Sequence, residues 1–264
     1  MVKHITHYNY FIPVHQGRGA EKVFLPQLVH KKGMYYISNI HFDTTRAHVE
    51  LAGARAIDCV IDACFDLDTY HPFKGNFCLE TLEKIIHEKG ADNIAGIIMT
   101  ITNNSAGGQP VSMENLRAVK KIADRYHIMT IIDGARYAEN AFFIKEREAG
   151  YQDKDILDIA REQFTYADAF LMSAKKDGLV NMGGIIAIKD RKDLYDLCRT
   201  FVVPYEGFPT YGGLSGRDMD ALAVGLEEGL DENYLHEFIH IYLNPIYPNT
   251  PLKEGIATFY GGSM

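Results

Sequence analysis

The sequence predicts an α/β fold in which helices cover both faces of a mostly parallel sheet. Short apolar runs alternate with longer amphipathic stretches, which is typical of parallel strands connected by helices. The chain has 264 residues, of which 47% are hydrophobic, and this is enough for one large core with or without a small appendage. Neither repeats nor low-complexity tracts interrupt the pattern, so one layered unit is expected.

The strands are predicted where apolar runs end in polar or glycine-containing segments. An apolar run over 10–14 precedes a glycine turn and a helix start near residue 22. Further strands are predicted over 34–38, 56–61, 96–101, 129–133, 169–173 and 183–188.

The helices follow from amphipathic periodicity and from their end signals. They are predicted over 79–88, 112–126, 139–149, 156–164 and 192–200. Ser112 is expected to cap its helix without a full capping box, because Asn115 stands three residues later. A helix over 218–230 is also predicted, although Gly225 and Gly229 weaken its interior.

Two adjacent lysines, Lys175 and Lys176, follow the apolar run 169–172. A lysine at a strand end can be desolvated beside a second cation, which lowers its pKa and leaves a neutral amine free to attack a carbonyl. Pyridoxal phosphate is the obvious carbonyl compound. The alternative is a solvated turn, and the residues alone do not choose between the two lysines.

The segment 15–21 has the composition of a phosphate-binding turn. Gly17 and Gly19 allow the backbone to approach an anion, the following helix offers unpaired N–H groups, and Arg18 adds a positive charge. The alternative is that the glycines serve the turn geometry alone.

Two more polar segments follow apolar strands. Asp133 ends the run 129–133, where a carboxylate can keep a pyridine nitrogen protonated, or can cap the next helix. The segment 102–110 offers amides to a phenolic oxygen or a substrate carboxylate, unless it is an ordinary glycine-rich turn.

Together these segments resemble the β-eliminating lyase family of fold-type I pyridoxal-phosphate enzymes, which includes tryptophanases and tyrosine phenol-lyases. The resemblance rests on HQGRGAE at His15, FDTTRAH at Phe42, KGNF at Lys74, NNSAGGQPVS at Asn103, DGARYAENAFFIK at Asp133, SAKKD at Ser173 and EGFPTYGGL at Glu206. It implies the large domain of that fold.

The resemblance also implies a role for each matching residue. Lys176 would carry the cofactor as a Schiff base, and Lys175 would support its phosphate. Asp133 would pair with the pyridine nitrogen, Arg136 would lie near the phenolic oxygen, and the carbonyl of Asn181 would help to ligate potassium. Phe42 would stack on the cofactor ring, and Asn104 would contact both cofactor and substrate. The residues that would form the phosphate cup are Gln16, Gly17, Arg18 and Ser173.

The implied activity is that of a pyridoxal-phosphate-dependent carbon–carbon lyase acting on an aromatic amino acid. The motifs at 42–45, 103–110, 173–177 and 206–213 favour a tryptophanase, which releases indole, pyruvate and ammonia from L-tryptophan. The segments 180–184 and 216–219 favour a tyrosine phenol-lyase instead. Family members form tetramers with shared active sites, so a homo-oligomer or a complementing chain is expected.

The motifs fade after about residue 230. We therefore expect a cofactor-binding large domain over 1–235, incomplete at its N-terminus, and a tail over 236–264 with the small domain largely missing. The family's catalytic tyrosine and its substrate-clamping arginine lie in the missing parts. A second hypothesis is accordingly a catalytically inactive remnant that binds the cofactor or a partner.

A rival motif is His236-Glu237-Phe238-Ile239-His240. On a helix, its two histidines would share one face and could bind zinc with Glu237 as general base, as in a metallohydrolase. The hypothesis is minor because Glu254 is the one candidate for a third ligand.

Charge and cysteine usage exclude several classes of partner. A net charge of −8 argues against nucleic acid and anionic membranes as partners. The chain has neither an apolar run that could cross a bilayer nor a signal peptide, so a cytoplasmic location is expected. The four cysteines lack zinc-type pairing and are expected to be reduced thiols: Cys59, Cys64, Cys78 and Cys198.

Overall fold

The computed structural model describes residues 1–66, 68–232 and 234, and within these residues seven strands form one sheet. The spatial order is β1-β7-β6-β5-β4-β2-β3, and β7 alone runs antiparallel to its neighbours. The predicted mostly parallel sheet is therefore confirmed. The strands are β1 Tyr10–Val14, β2 Tyr35–Ser38, β3 Arg55–Asp58, β4 Ile94–Thr100, β5 Thr130–Asp133, β6 Ala169–Ser173 and β7 Gly184–Ile188.

Helices pack on both faces of the sheet, as predicted. Apolar residues of α2, α3 and α8 form the core on one face, and those of α4, α5, α6, α7 and α9 form the core on the other. The helices are α1 Val2–Thr6, α2 Gly17–Phe24, α3 Asp43–Leu51, α4 Leu79–Lys89, α5 Met113–Arg125, α6 Tyr137–Arg147, α7 Ile156–Thr165, α8 Lys192–Tyr205 and α9 Gly216–Glu228.

Strand β4 shows how the two cores share the sheet. Ile97 and Met99 point into one core, whereas Ala95 and Ile98 point into the other. Every residue of the strand is buried. A parallel strand covered on both faces needs an unbroken apolar run, which is why this run identified a strand in the sequence.

The start of one helix differs from the prediction, and two helices are additional to those predicted. Helix α2 begins at Gly17, so the predicted glycine turn is itself the first helical turn. Helices α1 and α3 were not predicted, because α1 is short and α3 contains two adjacent threonines of low helix propensity. Helix α3 buries Thr45 and Val49, so packing outweighs intrinsic preference there.

One strand boundary differs from the prediction for an identifiable reason. Strand β3 ends at Asp58 rather than at residue 61, because Val60 makes an isolated bridge with Phe77. The two glycines at the C-terminal end of α9 permit close packing: a Cβ on Gly225 would lie 2.0 Å from the carbonyl oxygen of Gly178. The predicted cap of α5 is confirmed, since Ser112 Oγ accepts a hydrogen bond from the N–H of Asn115 at 3.1 Å.

One buried amide holds together the carboxyl ends of β2 and β4. Asn39 directly follows β2, and its Nδ2 donates to the carbonyl oxygens of Gly75 and Thr100, both at 2.9 Å. Its Oδ1 accepts from the N–H of Thr100 at 3.0 Å. Asn39 is fully buried, so all of these groups depend on it for hydrogen bonding.

We expect Asn39→Ala to lower the free energy of unfolding by about 2–4 kcal/mol, because it leaves buried backbone groups unpaired. The exposed Asn9, whose Nδ2 donates to Asp190 at 2.8 Å, is the matched control, and Asn9→Ala should cost about 0.5 kcal/mol or less. Urea unfolding of both variants measures the difference. Equal losses in the two would contradict this account of Asn39.

Candidate active site

The described residues form a cleft at the carboxyl edge of the sheet. Strands β1, β4, β5 and β6 run in one direction, so the segments that follow them leave the sheet at the same edge. Ligands of open α/β sheets bind at this edge. Ten residues predicted for the cofactor site line the cleft: Gln16, Gly17, Arg18, Phe42, Asn104, Asp133, Arg136, Ser173, Lys175 and Lys176.

The turn after β1 lies directly against the end of β6. A Cβ on Gly17 would approach the Cβ of Ser173 to 2.7 Å, so a side chain at residue 17 does not fit without displacing one segment. Arg18 is exposed in the same helical turn. The result is a turn whose backbone borders the cleft, with a positive charge beside it.

Glu206 holds the turn after β1 in place through His15. Its side chain is almost completely buried, and its Oε2 accepts a hydrogen bond from the N–H of His15 at 2.9 Å and contacts His15 Nδ1. Gly19 leaves room for the carboxylate, because a Cβ there would lie 2.2 Å from Glu206 Oε1. The motifs that contain His15 and Glu206 therefore meet in space.

The structure separates the two lysines that the residues alone left equivalent. Lys175 is exposed, and its Nζ donates to Gln16 Oε1 at 3.2 Å. Lys176 is half-buried, and its Nζ donates to Ser173 Oγ at 3.1 Å. Burial and then the nearby Arg136 guanidinium lower the pKa of Lys176. The neutral, nucleophilic form of the Lys176 amine is therefore easier to reach than in a solvated lysine.

Asp133 ends β5 at the floor of the cleft. Burial raises its pKa to about 6, against the opposing effects of Lys176, a hydrogen bond from Thr45 and Arg136. A carboxyl group with this pKa is largely ionised at neutral pH and can pair with a protonated ligand nitrogen.

Arg136 and Asn104 bring the loops after β5 and β4 together. Arg136 Nη1 donates to Asn104 Oδ1 at 2.7 Å, and Arg136 Nε lies 3.4 Å from Glu139 Oε2. The guanidinium is thus anchored on both sides at the rim of the cleft. It can hold an anionic oxygen there while lowering the pKa of Lys176.

Sequence reasoning missed other residues that line the cleft. Glu21 is the most consequential, because it places a second buried carboxyl group next to Asp133. The available signal was its position about one helical turn after Gly17, in the same motif as the glycines and Arg18. The further residues without a predicted role are Thr44, Thr100, Ile101, Thr102, Ala135, Leu171 and Met172.

The predicted metal positions do not join this cleft. Asn181 is exposed, and the described residues that line the cleft do not include it, so its link to potassium stays a prediction. His236 and His240 lie outside the described residues. Within the described part of the chain, no cluster of three His, Cys, Asp or Glu side chains could hold a metal ion, and the four cysteines are free thiols. None of the helices there has the length and apolar character needed to cross a membrane.

Comparison with known proteins places these features in a family. The β-eliminating lyase family model matches residues 1–242. A tryptophanase from Haemophilus influenzae is 51% identical over 245 residues, covering 89% of this chain and 52% of the relative. A probable β-eliminating lyase from Trichomonas vaginalis is 52% identical over 227 residues, covering 86% and 49%. The chain spans about half the length of the curated relatives it matches.

A solved structure gives the same fold at low identity. The putative aromatic amino acid β-eliminating lyase/threonine aldolase from Exiguobacterium sp. 255-15 superposes with a TM-score of 0.62 at 14% identity, covering 90% of this chain and 60% of that chain. The predicted fold-type I architecture is therefore confirmed.

We expect Arg136→Gln to raise the pKa of Lys176, because it removes a cation that disfavours the charged amine. Competitive acetylation of the protein without added cofactor, followed by peptide mapping, gives the pH dependence of labelling at Lys176. The labelling curve should move to higher pH in this variant and stay in place in Arg217→Gln, which changes an exposed arginine of α9. An unmoved curve in Arg136→Gln would mean that burial alone sets the pKa.

Proposed function

This chain belongs to the β-eliminating lyase family, and on that premise we propose that its cleft binds pyridoxal phosphate and serves the elimination of an aromatic group from an amino acid. The observation that carries the proposal is the pairing of a half-buried Lys176 of lowered pKa with Asp133 in one cleft. Imine formation needs a nucleophilic amine such as that of Lys176, and a protonated pyridine nitrogen needs a carboxylate such as that of Asp133.

The residues present fit this cofactor. The Gly17 turn against Ser173 leaves backbone exposed to an anion, and Arg18 and Lys175 add two cations near it. Phe42 lines the same cleft, and its ring would contact the cofactor's ring. A phosphate at one end, a ring in the middle and a nitrogen at Asp133 are the three groups that such a lining recognises.

When bound, pyridoxal phosphate supplies an electron sink for the electrons left by loss of the substrate's Cα proton. Lys176 is suited to hold the cofactor's aldehyde and then to take that proton on Nζ, because its lowered pKa favours the free amine. Asp133 would keep a proton on the ring nitrogen of the cofactor, and Arg136 would hold an anionic oxygen. Asn104, which accepts a hydrogen bond from Arg136, would contact both cofactor and substrate in this proposal.

We propose L-tryptophan as the substrate, with indole, pyruvate and ammonia as products, because the relatives include proteins named tryptophanase. Tyrosine is the second candidate, on the motifs at 180–184 and 216–219. A homo-oligomer or a complementing chain, potassium near Asn181 and a cytoplasmic location belong to the same proposal. An inactive chain that binds the cofactor is the competing hypothesis.

Reductive trapping tests the proposal. The chain is mixed with pyridoxal phosphate, reduced with borohydride and mapped by peptide mass spectrometry. We expect the label on Lys176 and its loss in Lys176→Ala, whereas Lys121→Ala, which changes an exposed lysine of α5, should leave it intact. Labelling spread over exposed lysines would contradict a specific site. Pyruvate release from tryptophan or tyrosine, abolished in Lys176→Ala, then separates the enzyme from the remnant.

We expect Gly17→Ala to weaken cofactor binding by about ten-fold or more, because its methyl group would push the turn away from Ser173 and move the phosphate contacts. Gly216 at the start of α9 has open space around its Cα, so Gly216→Ala should bind as wild type does. Titration of the cofactor's visible absorbance gives both dissociation constants. Unchanged affinity in Gly17→Ala would place the phosphate elsewhere.

A further inference from the structure

The cleft contains a second buried acid that the chemistry above does not use. Glu21 lies on α2 and is 6% exposed. Its Oε1 is 2.6 Å from Thr45 Oγ1, and its Oε2 has no hydrogen-bond partner. A buried carboxylate with a bare oxygen is costly, whereas a protonated carboxyl group is far less so.

Thr45 acts on both carboxyl groups. Its hydroxyl lies 2.6 Å from Glu21 Oε1, and as a hydrogen-bond donor it also lowers the pKa of Asp133. A hydroxyl has one proton to donate, so it cannot donate to two carboxylates at once. Both contacts are satisfied together when Glu21 donates a proton to Thr45 Oγ1 and Thr45 donates its own to Asp133.

We propose that Glu21 is a positioning residue that is protonated in the folded protein, and that through Thr45 it keeps Asp133 ionised and aimed at the cofactor's ring nitrogen. The aim of Asp133 rests on the proposed function; the protonation of Glu21 does not. No bond other than hydrogen bonds forms or breaks, and the proton stays on Glu21.

The charges around Glu21 support this placement of the proton. Burial and then the charge of Asp133 raise the pKa of Glu21 to about 7, against Thr45, Thr44 and Arg18. Asp133 has the lower pKa of the two acids, since Lys176 and Arg136 face it. Of the two acids, Glu21 is therefore the one that keeps its proton to the higher pH.

Among the described residues, His48 is the histidine close enough to pair with Glu21, and it does not neutralise the carboxyl group. His48 Nε2 on α3 lies 4.0 Å from Glu21 Oε2. Burial, and then Lys22 and Arg18, lower the pKa of His48, which disfavours a positive charge on its ring beside Glu21. Arg18 on the same helix is exposed and lowers the pKa of Glu21, and the charges of Glu21 and Lys176 attract each other.

The first test uses the protein without cofactor. Glu21→Gln cannot titrate, and its amide can donate to Thr45 as the protonated acid does. A raised pKa makes wild type lose stability as pH rises from about 4.5 to about 7, so the Tm of Glu21→Gln relative to wild type should climb by about 4 °C or more across that window. Glu50→Gln, an exposed change on α3, should show a flat difference.

Difference infrared spectra give a direct readout in the same samples. At about pH 6, below the raised pKa, wild type should show the carbonyl stretch of a protonated carboxylic acid that Glu21→Gln lacks. Absence of that band, together with a flat Tm difference, would overturn the protonated Glu21.

The second test measures pyridoxal phosphate affinity. We expect Glu21→Gln to bind within about three-fold of wild type, and Glu21→Ala and Thr45→Val to bind about ten-fold more weakly or worse. If Glu21→Ala does not fold, Thr45→Val carries the comparison. Equal losses in Glu21→Gln and Glu21→Ala would show that the negative charge is what matters, and unchanged affinity in all three would remove Glu21 from the site. If wild type binds no cofactor, the proposed function fails and the cofactor-free measurements still decide the state of Glu21.

Discussion

The van der Waals contact between the turn after β1 and the end of β6 determines the geometry of the cleft. Gly17 lies on Ser173, and Gly184 of β7 lies on the backbone of Gln16, where a Cβ would come within 2.6 Å of the Gln16 carbonyl carbon. Since glycine alone fits at both places, the two segments are held at fixed separation. The positive turn on α2 and the lysine after β6 therefore face the same volume.

Desolvation is the second organising influence, and it acts on acids and bases in opposite directions. It raises the pKa of Asp133 and of Glu21, and it lowers the pKa of Lys176. A site that is merely charged would be solvated and unreactive. Here the same burial brings an amine toward neutrality and leaves one of two carboxyl groups ionised, which is the combination that imine chemistry with a pyridinium ring requires.

The long apolar runs made the sheet predictable, and the polar residues at their ends made most of the cleft predictable. Strands such as β4 are buried on both faces, so an unbroken apolar run is enough to predict them. The choice between Lys175 and Lys176 was not accessible in this way, because it depends on which side chain the fold buries. Glu21 was missed for the same reason: Thr45, which gives it a role, stands 24 positions away on a helix that only packing stabilises.

The reversed strand β7 has a consequence for how the molecule is made. It lies between β1 and β6, and Tyr10 at the start of β1 pairs with Ile188 at the end of β7. During synthesis, β1 therefore has no partner strand until β7 has left the ribosome. Such a distant pairing is slow to form because the intervening loop must close first. The turn that carries Gln16, Gly17 and Arg18 is thus among the last parts to become fixed, and newly made chains complete the cleft late in folding.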